Sequence, residues 1–330
     1  MSRKLITIST IMTLMSTSVI ADVPNVAADI APIHSLVSRV MDGVGAPKLI
    51  VQSGASPHGY RLRPSEAKAL QDADHVFWMG EELTPWLDSA IGTLASKASV
   101  TTLLDQQGVI LHDFREGALF EAHDHSAHGD DDHDDHDDHD DHKDHDDHDD
   151  HDDHDDHKDH DDHDDHGDHD DHDDHDDHDD HDDHGSHDPH AWLSPENAKL
   201  WLNIIASKLS VSDPENAATY FMNAAAGQAE IEAMIAEVKA TLKPVQGGKF
   251  VVFHDAYQYF ENDFDFYASG AISLGDSSDP SPARIEKVQK RIRDEGIQCV
   301  LAEPQFKKGL VATVMEGSDA TASVIDPLGA

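Results

Sequence analysis

Residues 213–242 read DPENAATYFMNAAAGQAEIEAMIAEVKATL, and this run decides how the rest of the chain divides. Asp213 is a capping residue, Pro214 presets the first helical φ, and Glu215 sets negative charge against the positive end of the helix dipole. Apolar positions then continue through Ala224, Ile231, Ile235 and Val238 to Leu242, and Gly247-Gly248 ends the segment. About 30 residues of helix extend roughly 45 Å, which is long for one small domain. Two readings follow: a packed core helix, or a rod running along two domains.

Strand-like and helix-like segments alternate on both sides of this helix. Upstream, a strand at 26–30 precedes an amphipathic segment at 33–41 and a short strand at 49–51. A Gly/Ser/Pro loop follows, then a helix from Pro64 to Asp72, an apolar strand at 75–78, a helix at 82–90 and a strand at 100–104. Ser194-Pro195-Glu196 supplies a cap, a proline at the first helical position and an acid in the first turn, so a helix runs from there to about 209. Downstream, Phe250-Val251-Val252-Phe253 is a buried strand, Ser281-Pro282 opens a helix to Glu295, and strands follow at 299–302 and 323–325. This order predicts an α/β fold: mostly parallel sheets layered by helices, built twice.

Within the upstream half, ahead of the helix that starts at Ser194, lies a tract unlike the rest of the chain. From His133 to His184 every third residue is histidine, and aspartate fills nearly all the gaps. All of the chain's 28 histidines except His34, His58, His75, His112 and His254 lie between His123 and His190, with more than half of its 68 acidic residues. No apolar residue occurs between Ala127 and Pro189, so the tract cannot bury enough surface to offset its ordering entropy. The expectation is a disordered, metal-binding loop at 123–188, with His123, His125, His128, His133, His184 and His187 among its weak auxiliary sites. A long insertion is tolerated because closure entropy grows only logarithmically with loop length.

Most of the net charge of −45 belongs to this tract, and the rest of the chain is mildly acidic. Nucleic-acid binding, which needs clustered Lys and Arg, is excluded. Met1-Ser2-Arg3-Lys4, an uncharged run at 5–20 and Ala21 read as a secretory signal cut after Ala21, too short and too rich in Ser and Thr for an anchor. Removing the signal and the tract leaves roughly 240 residues, enough for two modest cores. The one cysteine, Cys299, implies a free thiol, an intermolecular bridge or a missing partner.

Three histidines stand out by position. His58 sits in a loop after a strand, His190 sits just ahead of the 195 helix start, and His254 follows the apolar strand at 250–253. Open α/β sheets bind ligands at the carboxyl ends of their strands. Taken singly, each is explained better by a surface or hydrogen-bonded structural role, and nothing in the spacing shows that the three converge.

Five ordered motifs carry a resemblance over essentially the whole mature chain. They are Ser53-Gly54-Ala55-Ser56-Pro57-His58-Gly59-Tyr60 with Leu62-Arg63-Pro64-Ser65, His190-Ala191-Trp192-Leu193-Ser194-Pro195, Phe253-His254-Asp255-Ala256-Tyr257, Ala302-Glu303-Pro304-Gln305-Phe306 and Asp326-Pro327-Leu328-Gly329. Together they resemble the periplasmic zinc-binding proteins of bacterial ABC zinc-uptake systems, the ZnuA-type cluster A-I solute-binding proteins. The resemblance implies a signal peptide at 1–21, an N-terminal lobe at 22–212, a rigid linking helix at 213–243 and a C-terminal lobe at 244–330, with Zn2+ in the cleft. It implies that His58, His190 and His254 bind Zn2+, with Asp326 or a water in the fourth position. Glu303 and Asp255 are the candidates to orient the imidazoles.

The implied protein is a periplasmic monomer that hands Zn2+ to an ABC permease in the inner membrane. A manganese receptor of the same class is the alternative, although manganese favours more carboxylate oxygen. A zinc hydrolase is a further alternative, but neither His-Glu-x-x-His nor Gly-x-Ser-x-Gly occurs, so the chain reads as no enzyme. Two departures stand against the family pattern. Pro57 occupies a position where some zinc-specific members carry Glu, and a terminal helix with a cysteine partner for Cys299 is missing. The expectation is a C-terminal lobe cut short and destabilised, with Cys299 as a free thiol.

Overall fold

The short, mainly apolar strands Val26–Ala28, His75–Trp78, Phe250–His254 and Ala271–Ser273 are buried along their whole length, and helical crossovers connect them. The computed structural model of the chain describes residues 23–115, 120, 187–273, 275 and 280–329. The signal segment 1–21 and the tract with His123, His125, His128, His133 and His184 lie outside the described residues. The first half runs β1 (Val26–Ala28), α1 (Ala31–Val40), β2 (Lys48–Leu49), α2 (Pro64–Gln71), β3 (His75–Trp78), α3 (Pro85–Leu94) and β4 (Ser99–Thr102). Its sheet has the order β2-β1-β3-β4. After α4 (Pro195–Ser212) and α5 (Ala217–Leu242) the pattern returns as β5 (Phe250–His254), α6 (Gln258–Phe264), β6 (Ala271–Ser273), α7 (Pro282–Glu295), β7 (Cys299–Ala302), α8 (Lys308–Met315) and β8 (Thr321–Val324). The second sheet has the order β6-β5-β7-β8, the same topology, and every ladder in both sheets is parallel.

Strand alternation divides each sheet between two cores. Val26 and Ala28 face one cluster with Ile33, Val37 and Trp201, while Ala27 faces another with Leu70, Val76 and Leu87. In the second sheet Val251 and Phe253 pack with Val288 and Ile292, and Phe250 and Val252 with Ala256 and Tyr257. Burial on both faces is why these strands read as continuous apolar runs.

The long helix is both of the things its sequence allowed. Its first half is core: Tyr220, Asn223, Ala224 and Gly227 are its buried residues. Asn223 Nδ2 donates to the carbonyls of Val40 at 2.9 Å and Asp42 at 2.8 Å, tying α5 to the end of α1. A Cβ on Gly227 would meet Leu202 Cδ1 at 3.0 Å and Arg39 Cγ at 3.2 Å, so glycine is what lets α4 and α5 lie this close. Past Gly227 the helix is mostly exposed and runs as a strut to Leu242.

Some details depart from expectation. The helix expected at 82–90 begins at Pro85, because proline takes the first helical position and the chain ahead of it turns at Gly80, φ +148°. α6, β6 and α8 carry no strong sequence signal and are additional elements. His187 and Asp188, assigned to the loop by composition, make specific contacts: His187 bridges to Asp113, and the Asp188 N–H donates to His112 O. Among the described residues no helix is long and apolar enough to cross a membrane.

Candidate metal centre

The register of β5 on β7 builds one side of the site. Val252 pairs with Leu301, so two residues further along the same parallel ladder His254 stands opposite Glu303 at the strands' carboxyl ends. His254 Nδ1 and Glu303 Oε1 are 2.7 Å apart, and both side chains are almost wholly buried. The carboxylate accepts from Nδ1–H, which leaves the Nε2 lone pair as the imidazole's donor to an ion.

His190 is arranged the same way by a different device. It caps the 3-10 turn Ala191–Leu193 that leads into α4. Asp188 Oδ1 accepts from the His190 backbone N–H at 2.9 Å and from its Nδ1 at 2.6 Å. Asp188 is itself fixed: its N–H donates to His112 O at 2.8 Å and its carbonyl accepts from Tyr259 Oη at 2.6 Å. Gln258, with its amide oriented by the network, donates to Asp188 Oδ2 at 3.2 Å.

His58 comes from the loop between β2 and α2. Trp86 Nε1 donates to Pro57 O at 2.7 Å and anchors that loop against α3. The His58 ring centre lies 5.5 Å from that of His190, and His190 lies 5.2 Å from His254. Two imidazoles sharing one tetrahedral ion, each nitrogen about 2.0–2.1 Å from it, hold their ring centres about 5.2 Å apart. The three histidines therefore line one pocket together with Glu303 and Gln305. Trp192 and Phe306 form its apolar wall, with ring centres 5.1 Å from His190 and 5.5 Å from His254. The donor atoms are not yet gathered on one point: among the described residues no three or more His, Cys, Asp or Glu side chains form a group able to hold an ion as they stand.

Asp326 follows β8 and is not part of the pocket lining, although Pro327 and Leu328 are. Its Oδ1 accepts from Gln305 Nε2 at 3.0 Å and from the Leu328 N–H at 3.0 Å. Pro327 is held in turn by Trp192 Nε1, which donates to its carbonyl at 2.8 Å. Burial, with the Glu303 and Asp326 carboxylates nearby, pushes the Tyr257 phenol far above its ordinary value.

Of the two residues expected to orient the imidazoles, Glu303 does so and Asp255 does not. Asp255 is one residue past His254 and engages Arg115, which also donates to Glu261 Oε2 at 2.6 Å and lies under the Phe120 ring. Burial raises both carboxyls above their usual range and Arg115 pulls them part of the way back. The partner of His190 is Asp188, which sequence reasoning missed. An acid two residues ahead of a histidine was the available signal, but inside a run of Asp-Asp-His it has no contrast. Of the auxiliary histidines, His187 alone is described. It pairs with Asp113 through a β-bridge and an Nδ1–Oδ1 contact of 2.9 Å, which closes the base of the loop.

The fold is that of a two-lobed α/β binding protein with a histidine-lined pocket where the carboxyl ends of its two sheets meet. A family described as ZnuA, zinc-uptake complex component A periplasmic, matches residues 26–330, and the chain belongs to that family. The high-affinity zinc uptake system protein ZnuA of Brucella abortus is 47% identical over 305 residues, covering 92% of this chain and 84% of its own. The protein of the same name from Paracoccus denitrificans is 44% identical over 310 residues, covering 94% and 85%. A solved structure described as the crystal structure of ZnuA superposes with a TM-score of 0.65 at 20% identity over 93% of this chain and 92% of its own, a likeness of fold. The family is a periplasmic component of zinc uptake, not an enzyme, and its membrane partner is an ABC permease.

Proposed function

We propose that this chain captures Zn2+ in the pocket through His58, His190 and His254 and delivers it, as a monomer, to the permease. The observation that carries this reading is the spacing of the three rings, 5.5 and 5.2 Å between centres, with two of them held by buried carboxylates. The ion enters as cargo. His190 and His254 are oriented by Asp188 and Glu303, and His58 supplies the third imidazole from the loop after β2. Neutral imidazole is the binding form, so protons compete with the ion and affinity falls as pH drops. Nitrogen donors favour zinc over manganese, which asks for more oxygen.

On this reading residues 1–21 are the removed signal, 22–212 and 244–330 are the lobes, and 213–243 is the strut between them. The tract collects Zn2+ loosely and raises the amount available to the pocket. Competition titration against a chromophoric zinc chelator tests the assignment. His190→Ala and His254→Ala should each lose tight binding, while deletion of 123–186 should retain one tight site at lower total stoichiometry. Tight binding that survives both histidine changes, or that vanishes with the deletion, refutes the ligand assignment.

A further inference from the structure

The pocket of an acidic protein offers imidazole to the ion because the carboxylates beside it are engaged elsewhere. Glu303 is committed to His254 Nδ1 at 2.7 Å. Asp326 receives two donors on the same oxygen, Gln305 Nε2 and the Leu328 N–H, each at 3.0 Å. Gln305 lines the pocket beside the three histidines. Its Oε1 is buried and has no hydrogen-bond partner among the described residues, so the amide leaves half its bonding capacity unused while Nε2 stays on the carboxylate. The Tyr257 hydroxyl is buried beside the same two acids.

We propose that Gln305 is a specificity-determining residue: by occupying Asp326 Oδ1 it limits that carboxylate to at most one oxygen at the ion. This rests on the three-histidine reading above, with Asp326 turning to the ion as the fourth, oxygen donor. The chemistry follows from coordination preference. Three imidazoles and one oxygen satisfy tetrahedral Zn2+. A hard divalent ion such as Mn2+ gains from each further oxygen, and a bidentate Asp326 would supply one. Gln305 sets the ceiling on oxygen donors, and the Leu328 amide, fixed by the turn at Asp326, shares the work.

The test is the ratio of Zn2+ to Mn2+ affinity in Gln305→Leu, which keeps the volume and removes the donor, with Gln305→Met as a second variant if the first does not fold. Mn2+ affinity is expected to rise on the order of tenfold, the factor one charge-assisted hydrogen bond carries, with Zn2+ affinity held within about threefold. The rise should disappear in an Asp326→Ala background, and X-ray absorption of the Mn2+-loaded variant should show an added oxygen. An unchanged ratio while His254→Ala loses Zn2+ overturns the role of Gln305 and leaves the ligands standing. An equal rise in the Asp326→Ala background also overturns it, because the effect would then not pass through the carboxylate. If His254→Ala binds Zn2+ as tightly as the parent, the ligand reading fails and the inference with it.

Discussion

Asp188→Ala isolates the contribution of a carboxylate that touches no ion. In the parent, Asp188 Oδ1 holds the His190 ring through Nδ1 at 2.6 Å and the backbone through N–H at 2.9 Å, and the acid is 2% exposed. Truncation leaves a buried imidazole N–H unpaired, which costs about 1–3 kcal/mol, and frees the ring to rotate. Removing such a partner from a metal-bound histidine weakens metal binding by roughly 10–100-fold. Asp188→Asn keeps an oxygen in place but loses the charge, so its loss should be smaller, about tenfold or less, since neutral acceptors are roughly half as strong. The expected order of zinc affinity is parent, Asn, Ala, and Glu303→Gln should match Asp188→Asn because it does the same to His254. Competition titration measures this, with far-UV circular dichroism to establish that the lobes are intact. A folded Asp188→Ala that binds Zn2+ within about twofold of the parent refutes the reasoning, since an unanchored His190 cannot then be a ligand that matters.

Arg115→Met strips the counter-charge from Asp255 and Glu261, which are 9% and 1% exposed, and breaking a buried pair this way costs about 3–5 kcal/mol. Both acids already titrate above their usual range, so their stabilising contribution is greatest at low pH and is lost as pH rises; without Arg115 that loss steepens, and scanning calorimetry should find a deficit that shrinks on acidification. An equal deficit at both ends of the pH range would refute it. Asp29, fully buried, is pushed by burial from 3.8 up to about 7, so it favours the fold below its unfolded value and ceases to as pH climbs through about 7. That range corresponds to about 4 kcal/mol, and Asp29→Asn should flatten the pH dependence of the urea midpoint, which parallel curves would contradict. Cys299 is free, partly buried, and shifted upward by that burial, so it should react slowly with a thiol reagent in the native protein and fully in denaturant; no thiol in denaturant would contradict this.

The frame of the fold was legible because its signals are local. Ser194 and Ser281 cap α4 and α7 as their Ser-Pro pairs imply, and each side chain accepts from the N–H three residues on. The quartet 250–253 is buried because it is apolar on both faces of a parallel strand. α6 was not legible: its N-cap is Tyr257, which makes no side-chain cap bond, and its end at Asp265 is set by a left-handed residue that is not glycine. The positions of His58 and His254 were legible from the strand-end rule and that of His190 from the helix start after it, but their meeting is a property of two lobes and was carried by the family resemblance. Asp255 misled because adjacency along a strand is not adjacency in space: successive side chains leave opposite faces. His254 turns to Glu303, and Asp255 turns to Arg115.

That alternation bears on a larger question, how a chain carrying a net charge of −45 can offer nitrogen to a cation. Free carboxylates near the pocket would outnumber the imidazoles and draw oxygen-seeking ions as readily as zinc. Among the described residues, four acids near the pocket have a donor of their own instead. Asp188 is used by His190, Glu303 by His254, Asp255 by Arg115, and one oxygen of Asp326 by Gln305. On the proposed reading the tract and the pocket therefore divide the labour by the state of their carboxylates. On that reading the tract's histidines and aspartates gather Zn2+ loosely, while Asp188 and Glu303, already hydrogen-bonded, hold imidazoles in place and leave the choice of ion to nitrogen.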